Sequence, residues 1–129
     1  MPAHFTLGKK ERLKSSLTIQ NLLKNGKTVS AFPLKIYWDM STDISQQYPV
    51  RMAVSVPKRK FGKAVDRNRI KRRIKESYRR NKNILYEPLL EKDHKIALMI
   101  LFQSDESLSS DKLDSLMRKL LQKLAMHLP

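Results

Sequence analysis

A chain of 129 residues, 40% of them hydrophobic and 30% charged, is one domain with room for a single modest core. With no cysteine, 3 glycines and 6 prolines, it has neither a disulfide framework nor a cysteine-based zinc site nor a collagen-like composition, and no solenoid repeat is visible. Its 27 Lys and Arg against 12 acidic residues give a net +15, a balance that suits a polyanionic partner.

Residues 1–11 read as an irregular tail without the apolar segment of a signal peptide. Ser15 or Ser16 can cap a first helix. Leu17, Ile19 or Gln20, Leu22 and Leu23 then form a mixed stripe, and Asn25-Gly26 is a stop signal. Residues 33–39 alternate Leu34, Ile36 and Trp38 against Lys35, Tyr37 and Asp39, the pattern of a half-buried strand. A further short strand fits near residues 28–32.

Residues 41–49 are a polar connection. In residues 50–56, Val50, Met52, Val54 and Val56 share one face, and together with the preceding segment they predict an antiparallel hairpin. Pro57 ends this strand. A loop follows, then a helix from about Ala64 to about Asn81.

Residues 95–102 are nearly all apolar, as in a central strand covered on both faces. The longest apolar run, Ile96–Phe102, is too short to cross a bilayer. Ser109 or Ser110 can cap a final helix, with Asp111 and Asp114 in its first turns. Leu113, Leu116, Met117, Leu120, Leu121, Leu124 and Leu128 recur there at three- and four-residue steps, and Lys119, Lys123 and His127 suit its C-terminal dipole end. The order is α-β-β-α-β-α, an α+β sandwich of helices on one small sheet.

The charge is concentrated. Residues 58–82 hold thirteen Lys or Arg and two acidic residues, Asp66 and Glu76, a local +11 out of the chain's +15. Such a patch attracts nucleic acid and holds it by releasing counterions. At about 100° per residue, Ile70, Ile74 and Tyr78 form a narrow apolar stripe. Asn68, Lys71, Arg72, Lys75 and Arg79 form one basic face beside it. Arg69, Arg73 and Arg80 lie on the other flank, where Glu76 can pair with Arg73 and Arg80. Folding alone gives no reason to gather the first group, because like charges on one face repel. Asp66 or Asn68 can cap this helix, and the Asn68 amide suits a ribose or base edge.

No protein-borne active site emerges. His4, His94 and His127 fall in a tail, a turn and a helix end without metal-ligand spacing, and Asp105-Glu106 reads as a solvated loop pair. A helix-turn-helix needs a helix just before the recognition helix, whereas a strand and loop precede this one, which argues against DNA. Few aromatic anchors border the basic helix, which argues against a membrane.

The run from Ala64 to Arg79, AVDRNRIKRRIKESYR, strongly resembles the Arg-Asn-Arg motif of the protein subunit of bacterial ribonuclease P. Arg12-Leu13-Lys14 before the first helix, Gly26 at its end, and Ser55-Val56-Pro57-Lys58-Arg59 before the motif fit the same family, over roughly residues 5–128. The resemblance implies a two-layer α-β sandwich with a small mixed sheet, about three helices and a left-handed β-α-β crossover, similar to a ribosomal protein domain.

It also implies a function: binding the catalytic RNA and the 5′ leader of precursor tRNA, one protein per RNA, in the cytoplasm. The RNA with magnesium would hydrolyse the phosphodiester, and the protein itself would hold no cofactor tightly. Arg67, Asn68, Lys71 and Arg72 match the motif. Lys75 stands where Arg is frequent, keeping charge without the bidentate fork. With Arg69, Arg79 and the loop residues Lys58, Arg59, Lys60 and Lys63, these are the expected RNA-binding residues. The leader cleft falls to Ile19, Leu23 and Tyr37. Many members have aromatics at the first two positions, and Tyr37 matches an aromatic one. The alternative is a ribosomal or other structural RNA-binding protein with no nuclease role.

Overall fold

A computed structural model describes residues 8–59 and 61–129. A 3-10 turn at Lys9–Glu11 precedes α1 (Ser16–Asn25). Ser15 caps α1 by accepting a hydrogen bond from the Thr18 amide at 3.2 Å. The chain leaves α1 at Gly26, where an added Cβ would sit 2.5 Å from the Leu22 carbonyl oxygen. Four strands follow as β1 (Lys27–Ala31), β2 (Leu34–Met40), β3 (Val50–Ser55) and β4 (Ile96–Phe102). Three more helices are α2 (Ala64–Asn81), α3 (Asn83–Lys92) and α4 (Ser110–His127). Ser109 caps α4 through the Lys112 amide.

The strands form one mixed sheet in the order β1-β2-β4-β3. β2 is antiparallel to both β1 and β4, whereas β3 runs parallel to β4. The antiparallel hairpin expected between β2 and β3 is therefore absent. The continuous apolar run of β4 takes the place between them, buried from Ile96 to Ile100. The polar connection at 41–49 is fastened to the start of β4 instead of turning back. Buried Gln46 donates through Nε2 to the Tyr48 and Ile96 carbonyls at 2.9 and 3.1 Å, and the Ile96 amide donates to Pro49 O. Parallel pairing of β3 with β4 requires a crossover, which α2 and α3 supply.

Helix α3 has no counterpart among the elements expected from sequence. Leu85, Tyr86 and Leu89 bury its inner face despite Pro88 within it. It stops at Asp93, whose left-handed backbone (φ 55°, ψ 40°) closes the helix end.

The core follows the strand alternation. Leu34, Ile36, Trp38, Val50, Met52, Leu98 and Ile100 face α2, α3 and α4, which bring Ile74, Tyr78, Leu85, Leu89, Met117, Leu120 and Leu124. Each such side chain stabilises the fold by about 1.5–3 kcal/mol. On the other face, α1 covers a smaller cluster of Leu13, Leu22, Ala97 and Met99, with Ile19, Tyr37 and Ala53 at its border. The segment expected to be an irregular tail is anchored from Gly8 onward. Glu11 is buried and ion-paired with the fully buried Lys82, Nζ to Oε1 2.7 Å. Tyr86 donates to the same oxygen at 2.6 Å and the Gly8 amide to Oε2 at 2.8 Å. No helix among the described residues is long and apolar enough to cross a membrane.

Candidate nucleic-acid interface

Helix α2 docks through Ile70, Ile74, Ser77 and Tyr78, the stripe expected from sequence with Ser77 added. Its first residue follows Lys63, whose side chain makes no capping hydrogen bond. Neither Asp66 nor Asn68 is the cap. Both lie inside the helix, because the chain turns helical at Ala64, and Arg67 N already donates to Lys63 O at 3.1 Å.

The cations of α2 divide into two groups. Arg73 does not meet Glu76. It donates instead to the Leu108 carbonyl and to Ser110 Oγ, since α4 and its leading loop pack along that flank. Arg80 takes both oxygens of Asp114 at 2.7 and 2.9 Å, and reaches Glu76 at 3.3 Å. Glu76 also accepts from Arg79, Nε to Oε2 3.1 Å, so Arg79 is partly neutralised on the expected basic face. That hydrogen bond is the chief reason the Glu76 carboxyl lies below its ordinary pKa.

The second group is Asn68, Lys71, Arg72 and Lys75. No hydrogen bond or ion pair joins any of these side chains to a described residue. With Val65 they line a shallow concavity of about 450 Å³. Asn68 and Arg72 are exposed, and Lys71 and Lys75 are half-buried. Partial burial depresses the Lys75 pKa, and the neighbouring charges of Arg12 and Lys71 depress it further. Arg69 is exposed and likewise makes no such contact.

Arg12 stands beside these cations, although the sequence marked it only through the Arg12-Leu13-Lys14 segment and not as an expected RNA-binding residue. It sits far away in the chain, ahead of α1, and reaches α2 only because residues 12 and 13 run beside β3. No periodicity signals this.

The loop before α2 is held from both ends. Arg67 Nη1 donates to the Phe61 and Gly62 carbonyls at 2.9 and 3.0 Å, so this expected RNA ligand also fastens the loop. The Phe61 ring lies 6.0 Å from that of Phe102. Lys58, Arg59 and Lys63 are exposed on this loop, and Lys60 lies outside the described residues. These cations therefore flank the α2 face from a tethered base.

The expected leader residues are brought together in part. Tyr37 and Ile19 both pack against the border of the α1 cluster, and the Lys35 ammonium lies 5.0 Å from the Tyr37 ring centre. Leu23 is one turn beyond Ile19 on the same flank of α1 and is 49% exposed. The sheet row next to Tyr37 is Lys35, Leu101 and Ser55 in register, all half-buried. That row continues toward Pro57 and Lys58. Together these residues outline a strip of sheet bordered by α1, with one ring for stacking and one ammonium for a phosphate.

His94 is half-buried after α3, and His127 is exposed at the end of α4. The described residues contain no group of three or more His, Asp or Glu able to hold a metal ion. His4 lies outside them.

The family described as ribonuclease P matches residues 7–125. The ribonuclease P protein component of Porphyromonas gingivalis is 34% identical over 128 residues, 99% of this chain and 93% of that one. That of Chlorobaculum tepidum is 38% identical over 87 residues, 63% of this chain and 56% of that one. Among solved structures, a Staphylococcus aureus RNase P protein mutant with defective mRNA degradation activity superposes with TM-score 0.71 at 24% identity, covering 92% of this chain and 90% of that one. The Thermotoga maritima RNase P protein gives 0.69 at 22% identity, covering 88% and 96%. These two likenesses concern the fold, which is the α+β arrangement of four helices on a four-stranded mixed sheet. The family match over nearly the whole chain, with the 34%-identical relative, settles the assignment: the chain belongs to the ribonuclease P protein family.

Proposed function

We propose that this chain binds the RNA subunit of ribonuclease P through the outer face of α2 and the loop before it, and precursor tRNA through the strip between α1 and the sheet. The protein is a component of a ribonucleoprotein endoribonuclease acting in tRNA 5′ maturation. On this reading the RNA, with its magnesium, carries out phosphodiester hydrolysis, and one protein serves each RNA in the cytoplasm. The protein contributes charge and position. The cations of its α2 face lower the repulsion between two RNA strands brought together.

One observation carries the reading. Lys71, Arg72 and Lys75, with Asn68, occupy a single face on which none of their side chains has a hydrogen-bond or ion-pair partner among the described residues. Exposed phosphates supply what such a face lacks: acceptors in a row for Lys and Arg, with a 2′-hydroxyl or base edge for Asn68.

The test is reconstitution. Adding this protein to bacterial ribonuclease P RNA should restore cleavage of precursor tRNA at low magnesium, with the 5′ leader released at the mature end. No stimulation by a folded protein would reject the proposal. Co-purification with ribosomes, without a large RNA of its own, would favour the ribosomal alternative.

A further inference from the structure

We propose that Arg12 is part of the RNA-binding face of α2, and that the buried contact of Glu11 with Lys82 and Tyr86 is what places it there. This rests on the RNA-binding reading of α2 given above. Arg12 is exposed, and no acidic side chain or carbonyl among the described residues pairs with its guanidinium. It lines a concavity that joins Arg72 and Lys75 of the open face to Arg79, Glu76 and the flank against α4, although it lies more than fifty residues before them in the chain. The electrostatic effect of Arg12 on Lys75 is consistent with that proximity.

The backbone explains the placement. Residue 12 bridges Met52 in parallel fashion, and the Leu13 amide donates to the Met52 carbonyl at 2.8 Å. Two residues of the N-terminal segment thereby extend the sheet beyond β3. That short pairing is held at its upstream end by Glu11. Its carboxylate accepts from Lys82 Nζ at 2.7 Å, Tyr86 Oη at 2.6 Å and Gly8 N at 2.8 Å. Lys82 is the residue joining α2 to α3, so the contact ties the N-terminal segment to the far end of the basic helix.

A buried ion pair is a weak source of net stability, because desolvation offsets most of the attraction. It is a strong positional restraint, since either partner alone would be an uncompensated buried charge. Glu11 is therefore a positioning residue and Arg12 the residue that touches RNA.

The experiment measures affinity of the full chain for bacterial ribonuclease P RNA across a potassium chloride series, with thermal unfolding of each variant alongside. Arg12→Ala should leave the unfolding temperature unchanged, weaken binding several-fold, and lower the steepness of the salt dependence by about 1. Arg12→Lys should recover most of that steepness. Tyr86→Phe loosens Glu11 while keeping the ring, and should weaken binding in the parent but not in the Arg12→Ala background. Glu11→Gln should behave alike where it folds.

Wild-type affinity and salt dependence for Arg12→Ala, with Arg72→Ala impaired, would overturn the assignment of Arg12 while leaving the α2 interface standing. If Arg72→Ala also binds normally, the interface itself is wrong. An equal loss from Tyr86→Phe in both backgrounds would overturn the positioning role of the buried contact.

Discussion

Arg67 and Arg72 both match the family motif, but the fold gives them different tasks, and substituting each by alanine separates them. Arg67 spends its guanidinium on the Phe61 and Gly62 carbonyls, closing the loop that carries Lys58, Arg59 and Lys63. Two hydrogen bonds from a half-buried charged donor are together worth about 1–2 kcal/mol after solvent screening. For a chain of this size, 1 kcal/mol corresponds to about 3–5 °C in Tm. Arg67→Ala should therefore lower Tm by about 3–10 °C. Arg72 is exposed and has no partner among the described residues, and its removal should shift Tm by less than about 2 °C. Binding to the RNA subunit should fall about tenfold for Arg72→Ala, or about 1.4 kcal/mol, with the salt dependence flattened by about 1. Calorimetry of the free protein and filter binding over a potassium chloride series supply both numbers. Equal Tm values for the two variants would refute the fastening role of Arg67. Unchanged affinity for Arg72→Ala would remove that residue from the interface.

Binding of the wild-type protein should weaken steeply with salt, because a +11 segment displaces several counterions; a nearly flat titration would reject the electrostatic account. Tyr37→Ala should reduce the preference for precursor over mature tRNA on the assembled complex by the loss of one stacked base, about 1–3 kcal/mol, and Leu23→Phe should increase it. Equal weakening of both tRNAs by Tyr37→Ala would make that ring a packing residue only. Gly26→Ala should destabilise the fold by about 1–3 kcal/mol in a denaturant titration, because its Cβ would press on the Leu22 carbonyl at 2.5 Å; a neutral result would mean that the end of α1 relaxes freely.

The elements with strong periodicity were legible in the sequence. The stripes of α2 and α4, the alternation of β2 and β3, and the uniform run of β4 all specify which face is buried. Alternation does not say which strand lies alongside, so it could not distinguish a β2–β3 hairpin from two strands that both flank β4. Helix α3 hid behind Pro88 and a short pattern; the spacing of Leu85, Tyr86 and Leu89 was its only signal. The same limit applies at the interface. A helical wheel gathers residues of one helix, and it correctly grouped Asn68, Lys71, Arg72 and Lys75. It could not see α4, which draws Arg73 and Arg80 into contacts of their own, nor the N-terminal segment that adds Arg12. Arg79 was grouped with the open face because angle alone favours it, yet Glu76 lies three residues back and claims it.

That division of cations has a consequence for pH. Lys75 is half-buried beside Arg12 and Lys71, and burial first, then those two charges, depress its pKa below the ordinary lysine value. In the free protein its charged form is therefore disfavoured relative to the unfolded chain, a cost to folding that is present below the depressed pKa and relieved as pH rises through it. A phosphate placed against the face favours the charged form and raises the pKa again. RNA is then bound most tightly where Lys75 is already protonated, and affinity falls as pH climbs from the free-state pKa toward the bound-state one. Affinities followed at fixed salt as pH rises from neutral toward the ordinary lysine value of 10.5 should decline in the wild type and decline less in Lys75→Met, which has no ammonium to titrate. A parallel decline in both proteins would show that Lys75 has no phosphate before it, and that the unpaired charges of α2 are met by RNA elsewhere along the helix.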